Sequence, residues 1–205
     1  MTITYGIIIV TVITSLMAFN NRATMSKLIF NPYVIHTNKD YSRFISSGFI
    51  HADFMHLFFN MYALYLFGGI VEQSFKSQYI FGNKGNLMYI ILYISGLIMS
   101  SVYSYFKHKN NPAYNALGAS GAVSAIVFCS IILYPTNKLM IFPIPFFMPA
   151  YILGVGYLLY SFFMGRRAND NIGHDAHFYG AVWGILFIVL LWKPALGNFI
   201  AQLGF

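Results

Sequence analysis

Four side chains in this sequence have the types and spacing to do chemistry, and all four lie within long apolar runs. His56 and Asn60 sit in HLFFN, Ser120 in LGASGAVSA and His177 in HDAHFYGAVWG. Polar side chains are costly in hydrocarbon, so each is a functional candidate by default. A serine and a histidine are the pair that nucleophilic acyl transfer uses, the imidazole taking the hydroxyl proton and later returning it to the leaving group. His56 and Asn60 are four residues apart and face one way, so both could donate to one oxygen. Gly118 and Ala119 are small and Asn115 precedes the helix, which places Ser120 near a helix N-terminus whose free N–H groups suit a developing oxyanion. Each residue also has a plainer role open to it: serine and glycine pack membrane helices, and a lone His or Asn often bonds one helix to another. Their occurrence together is what points to catalysis.

The elements that must position them follow from composition. With 58% hydrophobic and only 8% charged residues, the chain exceeds what one soluble core could hide. A helix needs about 20 apolar residues to cross about 30 Å of hydrocarbon. Six such stretches run approximately over Ile3–Phe19, Phe54–Val71, Leu87–Phe106, Ala116–Tyr134, Phe146–Met164 and Ala176–Trp192. They predict an all-α, polytopic membrane protein forming a single domain over residues 1–205. The first stretch has no preceding Lys or Arg and no small-x-small site after it, so it is expected to remain as a helix. The connection Asn20–Asp53 contains Tyr33, Tyr41, Phe44, Phe49 and Ile50, too apolar for a disordered linker, and is expected to be structured at the membrane interface. Pro143, Pro145 and Pro149 are expected to end one helix and begin the next.

Six crossings start the second, fourth and sixth helices on the same side, and each candidate lies within about two turns of its helix start. At about 1.5 Å per residue, His56, Asn60, Ser120 and His177 share one layer below one surface. His177, Gly180 and Gly184 follow i, i+3, i+7 spacing. Gly180 and Gly184 form a small-xxx-small surface, and Gly121 with Ala125 forms a similar one on the fourth helix. Packing these surfaces together would bring His177 toward Ser120. His51, five residues before His56 and turned away from it, reads as structural, and the lone Cys129 as a buried apolar residue.

These motifs resemble the rhomboid intramembrane proteases, from the long first loop to the last helix. GFIHADFMHLFFNM at 48–61 is similar to the family's second-helix signature, which implies oxyanion roles for His56 and Asn60 and a structural role for His51. GASG at 118–121 matches the nucleophile motif, and AHFYGAVWG at 176–184 the final-helix motif with the catalytic histidine and the paired glycines. Glu72 falls where the family has an acidic residue ending the second helix, and Arg43 where the first loop carries tryptophan–arginine. The sequence departs from the family at Ser42, the tryptophan position, and at Ser124, where an aromatic residue often packs on the histidine.

The resemblance implies a rhomboid-like bundle of six transmembrane helices and a metal-independent serine endopeptidase with a Ser120–His177 dyad. The oxyanion would be held by His56, Asn60 and the Ser120 N–H, with Gly118, Gly121, Gly180 and Gly184 as support. Substrates would be transmembrane proteins cut in or beside their spans, probed from a lipid bilayer, and no cofactor or metal is implied. Asp175 is expected on another face from His177, outside any triad. The segment Gly165–His174 is a candidate cap over the site. The net charge of +7 is scattered over all loops, which fits lipid headgroups rather than nucleic acid. By family orientation the charges conflict with the positive-inside rule: eight Lys and Arg, from Arg22 to Arg167, fall on the outer side against Lys76, Lys84, Lys138 and Lys193 inside. The expected location is the plasma membrane. Two other readings share parts of this pattern: a metal-dependent membrane hydrolase using His51, His56, His174 and His177, disfavoured because HExxH is missing, and an inactive rhomboid-like protein that binds transmembrane helices. Oligomeric state is not legible in the sequence.

Overall fold

All six apolar stretches form helices, as internal hydrogen bonding of the backbone demands in lipid. A computed structural model describes residues 2–140, 146–167 and 173–205. The six are α1 (Thr2–Phe19), α5 (Phe54–Lys76), α6 (Gly85–His108), α7 (Ser120–Leu133), α8 (Ala150–Arg167) and α9 (His174–Leu191). Four of them, α1, α5, α6 and α9, are long and apolar enough to cross a membrane by length and composition. α8 ends in Arg166 and Arg167, and α7 has only 14 residues. The chain is a multi-pass membrane protein.

The first loop is structured, as expected. It carries α2 (Arg22–Leu28), α3 (Pro32–Asn38), α4 (Arg43–Ser46) and a 3-10 turn over Ser47–Phe49. Asn21 and Asn31 cap α2 and α3 by accepting first-turn N–H groups, and Pro32 occupies the start of α3, where a missing N–H is harmless. Ser42, in place of an aromatic residue, donates to Asp40, which also accepts Arg43 Nε at 2.8 Å. The Ser42 hydroxyl and Arg43 hold the Asp40 carboxyl below its usual range. Arg43 then reaches the carbonyls of Ser26 and Ile29, so its charge is folded into the loop itself.

Two elements lie outside the sequence-based expectation. The proline-rich connection before α8 forms a short antiparallel ribbon, β1 (Lys138–Met140) with β2 (Phe147–Pro149), Lys138 opposite Pro149 and Met140 opposite Phe147. Pro149 ends it directly before α8, while Pro143 and Pro145 fall outside the described residues. A final helix, α10 (Ala195–Gln202), lies at the C-terminal end of α7, its Gln202 Nε2 donating to the Leu133 carbonyl at 2.9 Å.

α7 forms the centre. Every residue from Gly121 to Leu133 except Val127 is buried, enclosed by α5, α6 and α9 with α8 along one side. At about 1.5 Å per residue it spans roughly 21 Å, about 9 Å less than the hydrocarbon. A helix that short survives only because neighbouring protein, rather than lipid, meets its ends.

Glu72 fastens α1 to α5. Its side chain is fully buried, and its Oε2 accepts the Thr4 N–H at 3.0 Å and the Thr4 hydroxyl at 2.7 Å. Oε1 accepts Lys76 Nζ at 2.8 Å and the Ile3 N–H at 3.4 Å. A carboxylate on one helix thus caps the first turn of another, where orphan N–H groups and the helix dipole favour an anion. Replacing Glu72 by Ala strands those donors in the interior. Detergent unfolding of Glu72→Ala is expected to show a loss of about 2–4 kcal/mol, with amide exchange accelerated at Ile3 and Thr4 more than in α7.

Candidate active site

Ser120 is the first residue of α7, with Ala119 as its cap. The N–H groups of Ser120, Gly121 and Ala122 therefore precede the first intrahelical bond, made by the Val123 N–H to the Ala119 carbonyl at 2.9 Å. Among the described residues the helix thus starts with a hydroxyl and N–H donors outside the intrahelical ladder side by side.

The segment leading into Ser120 is held by the first loop. Phe30 and Ala116 exchange both backbone hydrogen bonds, at 2.9 and 3.0 Å, and the Gly118 N–H reaches the Ser47 carbonyl at 2.9 Å. Asn31 Nδ2 donates to the Pro112 carbonyl and to Asn115 Oδ1, both at 3.1 Å. Sequence reasoning placed this loop at the membrane surface and missed its role as a clamp, because backbone pairing between distant segments leaves no side-chain pattern.

His51 completes the clamp. Its side chain is fully buried, and its Nε2 accepts the Ala119 N–H at 3.3 Å. Accepting there puts the ring proton on Nδ1, which donates to Ser15 Oγ at 3.0 Å, and the Ser15 hydroxyl in turn donates to the Phe49 carbonyl at 3.1 Å. One neutral tautomer satisfies the whole chain of bonds from α1 to the cap of α7.

Gly118 has φ +111°, and a Cβ there would lie 2.7 Å from His56 Cε1 and 2.9 Å from its Nε2. Only glycine lets this imidazole approach the backbone two residues before Ser120. The His51 and His56 rings meet edge to face, centroids 4.9 Å apart; the expectation that His51 turns away from His56 fails because His51 precedes α5, where helical spacing does not apply. Asn60 is buried on the same face, but one hydrogen of its Nδ2 is given to the His56 carbonyl at 2.9 Å. Among the described residues the other has no acceptor, which leaves it for an external oxygen.

α7 and α9 form the most extensive helix pair. A Cβ on Gly180 would overlap the Gly121 carbonyl, and one on Gly184 the Ala125 carbonyl. Both contacts step by four residues in the same sense, so the helices run parallel and backbone touches backbone, as the small-residue spacing predicted. The same packing sets the Ala176 carbonyl, one residue before His177, 3.6 Å from where a Gly121 Cβ would stand. Ser120, His56 and His177 each keep part of their surface open. Among the described residues Ser120 Oγ and His177 are not hydrogen-bonded to each other, and such pairs commonly tighten only with substrate in place.

His177 stacks on Tyr157 of α8, ring centroids 6.2 Å apart and planes 21° from parallel. The Tyr157 hydroxyl bonds Ser124 Oγ at 3.2 Å. Tyr157 was not singled out in the sequence, where a tyrosine in an apolar run carries no signal. Asp175 is turned to Lys107 Nζ at 3.0 Å, in keeping with its expected place off the His177 face. Of the candidate cap, residues 168–172 lie outside the described residues, and Gly165 belongs to α8. Among the described residues no group of three or more His, Cys, Asp or Glu gathers as metal ligands would.

A sequence profile of the rhomboid domain matches residues 38–194. The chain is 32% identical over 144 residues to RHOMBOID-like protein 12, mitochondrial, of Arabidopsis thaliana, covering 67% of this chain and 42% of that protein. It is 28% identical over 162 residues to presenilin-associated rhomboid-like protein, mitochondrial, of Mus musculus, covering 74% and 40%. With Rhomboid-like protein 11, chloroplastic, of Arabidopsis thaliana it shares 26% over 170 residues, covering 78% and 56%. The chain thus spans between two-fifths and just over half of the length of these curated relatives.

The His51 bonds set a pH dependence. Burial, with His56 close by, pushes its imidazole from 6.5 down to about 3, Asp53 opposing. Between those values the unfolded chain holds a proton that the folded chain does not, so stability falls as pH drops through that window. His51→Gln cannot titrate. Melting curves are expected to show it less stable than the parent at neutral pH by about 1–3 kcal/mol, with a shallower decline across the window.

Proposed function

Since the chain belongs to the rhomboid family, we propose that it is an intramembrane serine endopeptidase that hydrolyses peptide bonds in or beside the spans of membrane proteins. The observation that carries this reading is the start of α7: a serine at a helix N-terminus, inside the bundle, with free N–H donors and a histidine-bearing helix packed against it through glycine.

In this mechanism Ser120 Oγ attacks the scissile carbonyl while His177 accepts the hydroxyl proton. The carbonyl π electrons move to oxygen, and the oxyanion is held by the Ser120 N–H, His56 and the unused hydrogen of Asn60. Collapse breaks the C–N bond, His177 gives its proton to the leaving amine, and an acyl-serine remains. Water, losing a proton to His177, then attacks the ester; the acyl C–Oγ bond breaks, His177 returns that proton to Ser120 Oγ, and the new carboxyl end is released. His51 and the first loop act on Ser120 only through the backbone they hold. Two side-chain donors, each worth about 10²–10³ in rate by the measure of soluble proteases, would supply much of the transition-state stabilisation.

Substrate access is most easily read along α8, which packs on α7 and α9, makes little contact with α5, and buries only Ala150, Gly154 and Ser161. A second reading, a helix-binding relative without activity, uses the same fold and differs only in outcome. The relatives' names place them in mitochondria and chloroplasts, which lends no support to the plasma membrane as the location of this chain; a multi-pass membrane location is as far as the proposal extends.

The test is cleavage of a reporter single-span membrane protein by the purified chain in detergent, with EDTA present. The parent is expected to cleave unaffected by EDTA, and Ser120→Ala to lose at least about 10³-fold in rate. Equal cleavage by both would remove Ser120 as nucleophile. Stable capture of the reporter without cleavage by either would favour the binding reading.

A further inference from the structure

A histidine that shuttles a proton needs a fixed ring plane, and in a triad a carboxylate fixes it through the second ring nitrogen. Nothing of that kind holds His177: among the described residues no carboxylate bonds its ring, and the nearest acidic residue in sequence, Asp175, is committed to Lys107 at 3.0 Å. Two rings touch it: His174, one turn earlier on the same helix, edge to face with centroids 6.1 Å apart, and from outside that helix the face of Tyr157, at the 6.2 Å and 21° of an offset stack.

Tyr157 is itself held by α7, the helix that carries the nucleophile. Its hydroxyl bonds Ser124 Oγ at 3.2 Å, and its ring leans on Phe128 with centroids 5.7 Å apart. Ser120, Ser124 and Phe128 recur at intervals of four, so they lie along one stripe of α7. The small side chain at 124 leaves the volume into which a ring from α8 inserts, and it supplies the polar partner that a buried phenol end requires. The nucleophile and the plane of its base are thus referred to the same helix.

We infer that Tyr157 is the positioning residue for the His177 imidazole, its ring setting the plane of the base and Ser124 setting the ring. This rests on the protease reading for its effect on rate, but the ring contact is independent of it. Tyr157 keeps 36% of its surface exposed, so replacing it leaves no sealed cavity.

The full chain is prepared in detergent with isotope-labelled histidine, and the His177 ring signal is assigned by its loss in His177→Ala. Tyr157→Phe, which keeps the stack, is expected to leave that signal near its parental position, and Tyr157→Leu to move it. In the cleavage assay Tyr157→Leu is expected to lose roughly 10- to 100-fold in kcat with KM little changed, Tyr157→Phe to recover most of that loss, and Ser124→Ala to fall between them. An unmoved signal in Tyr157→Leu overturns the inference, as does parental kcat in that variant or an equal loss in Tyr157→Phe. Cleavage that survives Ser120→Ala, or never occurs, sinks the protease reading instead, and the ring signal alone then decides whether Tyr157 holds His177.

Discussion

The site depends on one contact, the meeting of the α7 and α9 backbones at Gly180 with Gly121 and at Gly184 with Ala125. In lipid there is little hydrophobic drive to bring helices together, so close packing of small residues has to do it. Here the absence of two side chains on α9 sets the spacing of the helices that carry Ser120 and His177. A methyl group at either glycine would meet a carbonyl oxygen, so the spacing has no slack in which to vary. α6 joins the same core from the other side, where a Cβ on Gly96 would lie 3.1 Å from Ala122 Cα.

That contact places a demand on the rest of the chain. α7 is short and almost wholly buried, and both of its ends stop inside the protein. The N-terminal end is closed by backbone from the first loop and by His51, and the C-terminal end by Gln202 and Asn198 of α10 on the Leu133 carbonyl, at 2.9 and 3.4 Å. The elements outside the six apolar helices are therefore not decoration around a bundle. They supply hydrogen bonds that a longer helix would have taken from water.

What the sequence disclosed follows this division. Helices driven by apolar length were legible, because a long apolar run needs no tertiary information to be read. The Gly180–Gly184 surface was legible because small residues at intervals of four have few other uses in lipid. Interactions that depend on the path of distant backbone were not: the Phe30–Ala116 bridge, the β1–β2 ribbon, and α10, whose eight residues fall short of a span. Tyr157 was hidden for a different reason. Ser124 looked like the loss of a ring from beside His177, whereas the ring enters from another helix and the serine makes room for it. The eight cations on the side of the helix N-termini also read differently in three dimensions, since Arg43 and Lys107 are spent on Asp40 and Asp175.

The buried carboxylate of Glu72 bears on how such a chain is made. α1 leaves the ribosome before α5, and its opening turn has polar groups that lipid cannot satisfy; their partner lies some seventy residues later, near the far end of α5. Neither half is at ease in the bilayer without the other. A helix that met lipid alone would carry exposed donors, and its counterpart the Glu72–Lys76 ion pair with a carboxylate oxygen left over, so biogenesis favours the two being kept together and released to the membrane as a pair. The first helix is in this sense provisional until the second arrives, and the order of synthesis is written into which residue waits for which.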